Sequence, residues 1–146
     1  MAEENFDYIV IGSGSAGGVV AARLSEEPTV SVLRLEAGPE DDDDMIHRPA
    51  GFSALFRTKA DWDSQTSEPK QPTSRRPTWP RLRGLGGCSS MNALIYIRGN
   101  RADFDEWRDA YGATGWGYED VLPYFKKAEG NQRIHDQYHG NDGPVN

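Results

Sequence analysis

Apolar and polar positions along this 146-residue chain fall into short blocks, separated by long stretches rich in glycine, proline and charge. Phe6 to Ile11 (Phe-Asp-Tyr-Ile-Val-Ile) is a nearly continuous apolar run that stops at Gly12, the pattern of a buried strand. Ser15 to Leu24 is rich in small residues and predicts a helix, with Val19, Val20 and Leu24 as inward positions; Pro28 bars its extension. Val30 to Leu35 predicts a second strand, ending at Glu36. Seven of the nine prolines lie within residues 37–80 or just upstream, so this stretch reads as loop, with short helical pieces near Phe52 to Phe56. Asn100 to Ala110 predicts a helix capped by Asn100, with Phe104 and Trp107 three residues apart on one face. Tyr118 to Glu129 predicts another, with Val121, Leu122, Tyr124 and Phe125 inward. The chain has no internal repeat.

One position sits badly in this pattern. Val32, Arg34 and Glu36 share a face of the second strand. A parallel strand covered on both faces is nearly all apolar, so Arg34 must snorkel, pair with an acid, or lie where the covering layer is thin. We expect it to be a tolerated residue and not a ligand contact.

Composition narrows the class. With 36% hydrophobic and 27% charged residues the chain can bury a core. A net charge of −7 disfavours a general nucleic-acid binder. No apolar run reaches the ~18 residues of a membrane span, and the acidic start Met1-Ala2-Glu3-Glu4-Asn5 does not resemble a secretory signal. A single cysteine, Cys88, excludes an internal disulfide and any multi-cysteine metal centre. These features fit a soluble, cytoplasmic protein with no metal site. The charge is uneven: residues 1–73 carry six basic and fourteen acidic side chains, residues 74–146 ten and nine. Arg75, Arg76, Arg81, Arg83, Arg98 and Arg101 are expected to cover helices and pair with the acidic half, while Asp41 to Asp44 read as a solvated loop.

The first motif with chemistry in it is Gly12-Ser13-Gly14-Ser15-Ala16-Gly17. The letters alone are weak, but here they follow a strand, open a helix and precede a second strand that ends in an acid. Gly12 allows the tight turn, Gly14 lets backbone approach a pyrophosphate, and Gly17 lets the helix pack on the strand. The helix start offers free amide hydrogens and a positive dipole end to phosphate. Glu36, 19 residues after Gly17, can accept hydrogen bonds from ribose hydroxyls and repels a 2′-phosphate, which disfavours NADP. A glycine turn that merely lets helix meet strand is the plainer alternative. A kinase glycine loop shares the letters but lies between two strands and needs a lysine partner that is missing here. The pattern leaves NAD and FAD both open.

The second motif runs from Trp79 to Gly99, Trp-Pro-Arg-Leu-Arg-Gly-Leu-Gly-Gly-Cys-Ser-Ser-Met-Asn-Ala-Leu-Ile-Tyr-Ile-Arg-Gly. Its paired glycines followed by small residues let backbone pass close to a flat ring. This segment resembles the first signature of the glucose–methanol–choline (GMC) family of FAD-dependent oxidoreductases. The resemblance continues through Leu35-Glu36-Ala37-Gly38, Asp103-Phe104-Asp105-Glu106-Trp107, Tyr111-Gly112-Ala113-Thr114-Gly115-Trp116, Leu122-Pro123-Tyr124-Phe125 and the His139-Gly140 to Gly143-Pro144 stretch. It covers essentially the whole chain, and the choline-oxidising members are nearest in style. Leu82 and Cys88 depart from the commonest family residues. Met91 stands where some members carry a histidine bonded covalently to flavin; a thioether cannot make that link, so non-covalent FAD is expected, with Met91 as a core contact that can also touch the flavin ring.

The resemblance implies an α/β fold: the N-terminal portion of a Rossmann-like FAD-binding domain whose sheet is completed by sequence outside this chain. Residues 1–40 would be the βαβ unit, 75–100 the flavin-contacting segment and 100–146 a helical region. By the same resemblance Gly12, Gly14, Ser15, Ala16 and Gly17 meet the pyrophosphate, Glu36 the adenosine ribose, and Gly87, Cys88, Asn92, Ala93 and Ile95 the isoalloxazine and phosphate path. Trp62 matches a family aromatic near the cofactor, with an ordinary core tryptophan as the alternative. None of His47, His135 and His139 occupies the family's base position, and His139 reads as part of a structural turn. The catalytic His and its partner are therefore expected outside this chain, which would be a fragment, a nicked product or one subunit of a split enzyme, docked on a second polypeptide carrying the rest of the fold. The implied reaction is oxidation of a small-molecule alcohol, a base taking the hydroxyl proton and hydride passing to flavin N5. A cyanohydrin-cleaving lyase of the same family and a non-catalytic nucleotide-binding subunit are the alternatives.

Overall fold

The computed structural model describes residues 4–67 and 76–146 of the chain. Arg75, Pro69 and Pro72 lie outside the described residues. Two compact units are present, Met1–Ile95 and Tyr96–Asn146.

The first unit is built on strand β1 (Tyr8–Ile11), helix α1 (Ser15–Leu24) and strand β2 (Val32–Leu35). β1 and β2 pair in parallel with Tyr8 opposite Val32 and Ile11 opposite Leu35. Both strands start two residues later than the apolar runs predict. The reason is local: Asp7 Oδ2 accepts from the Ser31 amide (2.8 Å) and hydroxyl (2.7 Å), and the Asp7 amide donates to Ser31 Oγ (3.0 Å), so side chains replace the ladder there. At the other end the Gly12 amide donates to Leu35 O at 2.7 Å and carries the ladder into the glycine loop.

Helix α1 has the predicted bounds but not the predicted inner face. Ala21 is its buried residue and Leu24 is half-buried, whereas Val19 and Val20 are exposed. Small residues set the approach: a Cβ on Gly17 would lie 2.0 Å from Gly12 O, so the helix sits directly on the loop and its bulkier valines point away. Arg34 pairs in register with Val10 and is exposed.

Residues 37–95 hold a 3₁₀ turn at Pro49–Leu55, close to the expected helical piece, and a second at Gly87–Ser90. They also contain two strands the sequence does not announce, β3 (Ser64–Gln65) and β4 (Thr78–Trp79), paired antiparallel. Leu55, Leu82 and Met91 form the buried core of this part, with Met45 and Ile46 packed on it, so Met91 is the core contact it was expected to be.

In the second unit α2 (Arg101–Asp109) begins as predicted: Asn100 Oδ1 accepts from the Ala102 amide at 2.9 Å. α3 (Tyr118–Ala128) follows. The Phe104 ring lies 5.5 Å from Trp107, 5.7 Å from Phe125 and 6.3 Å from Tyr118, an aromatic cluster between the two helices. Tyr124, expected inward, is exposed; Val121, Leu122 and Phe125 already occupy the stripe facing α2. Arg98 and Glu129 form a buried ion pair, and Glu129 also accepts from Asn131 Nδ2 and the Gly140 amide, both at 3.1 Å. Burial opposes the charge on Glu129, but these donors and Arg98 hold its carboxyl below the usual range. Among the described residues Arg98 pairs with Glu129 and Arg101 with Glu119, both acids of residues 74–146, while Arg83 does reach the acidic half, through the Lys59 carbonyl and the Trp62 ring instead of an acid.

Backbone packing in the first unit separates two glycines of like appearance. A Cβ on Gly38 would fall 2.3 Å from the Arg83 carbonyl, whereas one on Gly18 meets nothing within 4 Å. Gly38→Ala is expected to cost about 1–3 kcal/mol, and Gly18→Ala to stabilise by about 0.5–1 kcal/mol. Urea unfolding of both variants checks this; equal effects would contradict the packing described.

Candidate functional site

The glycine loop is backed by a second glycine segment from far along the chain. The Gly86 amide donates to Ser13 O at 3.0 Å, and the Leu85 amide to Pro39 O at 3.1 Å. Gly87, at φ +52°, lies so close that its Cβ would come 2.7 Å from Gly14 Cα. Ser15 and Ser89 hydroxyls join the start of α1 to the second 3₁₀ turn at 2.5 Å.

These contacts leave a cleft of about 570 Å³. Of the residues singled out from sequence, Gly12, Gly14, Ser15, Glu36, Trp62, Gly87 and Cys88 line it. Ala37, Ser64, Arg81 and Leu82 line it as well, and sequence reasoning gave none of these a site role. Arg81 and Leu82 lie inside the second motif, and an isolated bridge between Asp61 and Leu82 brings them beside Trp62. That pairing is too short to leave an alternating pattern. Gly17 serves helix packing, and Ala16 is exposed on the first turn of α1. Asn92 and Ala93 line a neighbouring cavity of about 300 Å³ with Phe52, Phe56 and Met91, and Cys88 and Arg81 border both spaces. Ile95 lines neither cavity and is 81% exposed.

The electrostatics of the cleft are fixed by Glu36 and the start of α1. Glu36 Oε2 accepts from the Ser13 amide at 2.8 Å and the Ser13 hydroxyl at 3.2 Å, and Oε1 accepts from the Gly38 amide at 3.0 Å. The Ser13 amide chiefly, against the opposing effect of burial and with help from Gly38, holds the Glu36 carboxyl below the usual glutamate range. α1 begins at Gly14 with no side-chain cap and no acid in its first turn. Its leading amides therefore keep their donors and the positive dipole end is not neutralised. Trp62 forms an aromatic wall, with the Arg83 guanidinium 5.6 Å from its ring centre. A cleft of this size with amide donors, an ionised carboxylate and an indole suits a nucleotide with a flat ring.

Among the described residues no histidine lines this cleft. His47 Nε2 contacts Asp41 O, His139 Nδ1 contacts Asp136 Oδ1 within the expected turn, and His135 is exposed. Among the described residues no group of three or more His, Cys, Asp or Glu side chains is placed to hold a metal ion, and no helix is long and apolar enough to cross a membrane.

Known proteins resemble this chain in sequence and fold. The sequence model described as GMC oxidoreductase matches residues 6–145. An oxygen-dependent choline dehydrogenase of Xanthomonas campestris pv. campestris is 47% identical over 146 residues, covering 98% of this chain and 26% of its own length. The crystal structure of a pyridoxine 4-oxidase from Mesorbium loti superposes with a TM-score of 0.89 at 41% identity, covering 96% of this chain and 28% of that one. An FAD-dependent oxidoreductase from Chaetomium thermophilum gives a TM-score of 0.77 at 31% identity, over 97% of this chain and 26% of that one. The chain thus spans about a quarter of the length of the curated relatives it matches.

The Glu36 bonds carry a pH signature. A carboxylate whose folded pKa is lowered adds stability that is complete above its unfolded pKa and is lost as pH falls through the folded value. The stability difference between the protein and Glu36→Gln is expected to be constant above about pH 5 and to close on further acidification. Urea unfolding across pH checks this, and a difference that widens in acid would contradict the bonding described.

Proposed function

The chain belongs to the GMC oxidoreductase family, and on that premise we propose that it forms the FAD-binding, Rossmann-like part of an enzyme that oxidises a small-molecule alcohol. The observation that carries the reading is the meeting of the two glycine segments at Gly14 and Gly87 beneath a cleft lined by Glu36 and Trp62.

The chain's own residues have separable tasks. The amides of Ser15, Ala16 and Gly17 open α1 without a cap and bind the pyrophosphate. Glu36, held ionised and oriented by Ser13 and Gly38, accepts from the ribose hydroxyls of the adenosine. Gly87 and Cys88 let the cofactor's ring approach backbone, and Trp62 closes one wall. Asn92 and Ala93 extend the path through the adjoining cavity, and Ile95 follows them in the chain. When bound, FAD supplies the acceptor for the hydride that leaves the alcohol carbon. Among the described residues no histidine lines the cleft, and the reading assigns the base that takes the hydroxyl proton to further sequence.

The same reading assigns the remaining part of the fold to a second polypeptide packed on this one. It is supported by the apolar surface of the βαβ unit: Ile11 is 85% exposed, and Ile9 and Val19 are exposed as well. Faces of this kind are covered in a finished α/β domain.

FAD is expected to bind without a covalent link, because Met91 is buried core and offers no histidine. Acid precipitation of the FAD-loaded protein should leave the yellow colour in the supernatant, and Glu36→Ala should weaken FAD binding by about tenfold. Flavin retained in the pellet would overturn the first statement, and unchanged affinity the second.

A further inference from the structure

We propose that Asp61 is a positioning residue for the aromatic wall of the cleft, fixing Trp62 and Arg81 in place before any nucleotide arrives; the role toward a flavin nucleotide rests on the cofactor reading above. Asp61 is 8% exposed and does not line the cleft. Its carboxylate nevertheless gathers three backbone donors from two separate segments. Oδ2 accepts from the Arg57 amide at 2.9 Å, and Oδ1 from the Asp63 and Arg81 amides, both at 3.0 Å.

Two features show that this carboxylate dictates the loop and is not merely accommodated by it. Arg57 and Asp63, the two donors that flank it in sequence, both hold left-handed backbone, at φ 58° and 46°. Such conformations cost non-glycine residues about 1–3 kcal/mol each and persist only where surroundings over-determine them. The nearby ion pair between Arg57 and Asp63 is exposed and 3.7 Å long, too weak for that task. The bond to the Arg81 amide then ties the loop to the second motif. It is flanked by the Trp62 amide donating to Arg81 O (2.9 Å) and the Arg83 amide donating to Ala60 O (2.8 Å). Trp62 is thereby held at the cleft, with Arg83 against its ring. The charge matters: an amide side chain places an NH₂ group where one of the three donors now finds an oxygen.

The test compares the protein with Asp61→Asn, each measured with and without Trp62→Phe so that the Trp62 signal is obtained by difference. Without nucleotide, hydrogen exchange at the amides of Arg57, Asp63 and Arg81 is expected to accelerate at least about tenfold, and acrylamide quenching of Trp62 to rise, while exchange in α2 and α3 stays unchanged. FAD affinity, read by flavin fluorescence, is expected to fall about tenfold. Exchange and quenching that match the parent protein would overturn the proposal. So would altered exchange and quenching with unchanged FAD affinity, which would leave Asp61 as a loop staple only. If the parent protein binds no FAD, the cofactor reading fails, while exchange and quenching still decide the placement of Trp62. Should Asp61→Asn not fold, the double variant with Asp63→Gly carries the same readouts, because glycine adopts the left-handed turn unaided.

Discussion

The structure depends on one close approach, that of the Gly12–Gly17 loop to the segment that begins at Gly84. The residues involved are more than seventy positions apart, and the contact is possible only because neither backbone carries a side chain where they touch. Gly87 would place a Cβ 2.7 Å from Gly14 Cα, and the hydrogen bond from the Gly86 amide to Ser13 O fixes the distance. Gly38, wedged against the Arg83 carbonyl and the Gly84 amide, brings the chain that leaves β2 against the same second segment. The cleft is the space these contacts leave, and its shape follows from backbone geometry more than from large side chains.

Onto that frame the protein places charge with little freedom. Glu36 is committed to Ser13 and Gly38, Asp61 to three amides, and Glu129 in the second unit to Arg98, Asn131 and Gly140. In each case the carboxyl is held below its usual range by donors that outweigh its desolvation. Two of these groups shape turns, and one meets the cleft. Beside it the uncapped start of α1 supplies the opposite sign. The cleft thus holds an ionised carboxylate and a positive helix end next to each other.

Much of this was legible in the sequence, and the rest was not for identifiable reasons. The glycine loop, α1 and Glu36 declare themselves because a strand, a turn, a helix and a second strand each leave a periodic trace within forty residues. Asn100 likewise announces the start of α2. Ser64, Arg81 and Leu82 were not singled out as cleft residues because two-residue strands and an isolated bridge have no period to read. Val19, Val20 and Tyr124 were placed inward because apolar character was equated with burial, whereas Gly17, Ala21 and the Phe104 cluster had already taken those faces. The arginines were expected to pair with the acidic half, but Arg98 and Arg101 found acids in their own half, where less chain has to be ordered to make the contact, and Arg83 met the Trp62 ring in place of an acid.

That the two glycine segments together form a nucleotide cleft is tested by hydrogen exchange of the protein with and without saturating FAD. Added protection is expected at the amides of Ser13 to Gly18 and Gly86 to Ser89, with α2 and α3 unaffected. Protection confined to other segments, or none under conditions where FAD is bound, would contradict it.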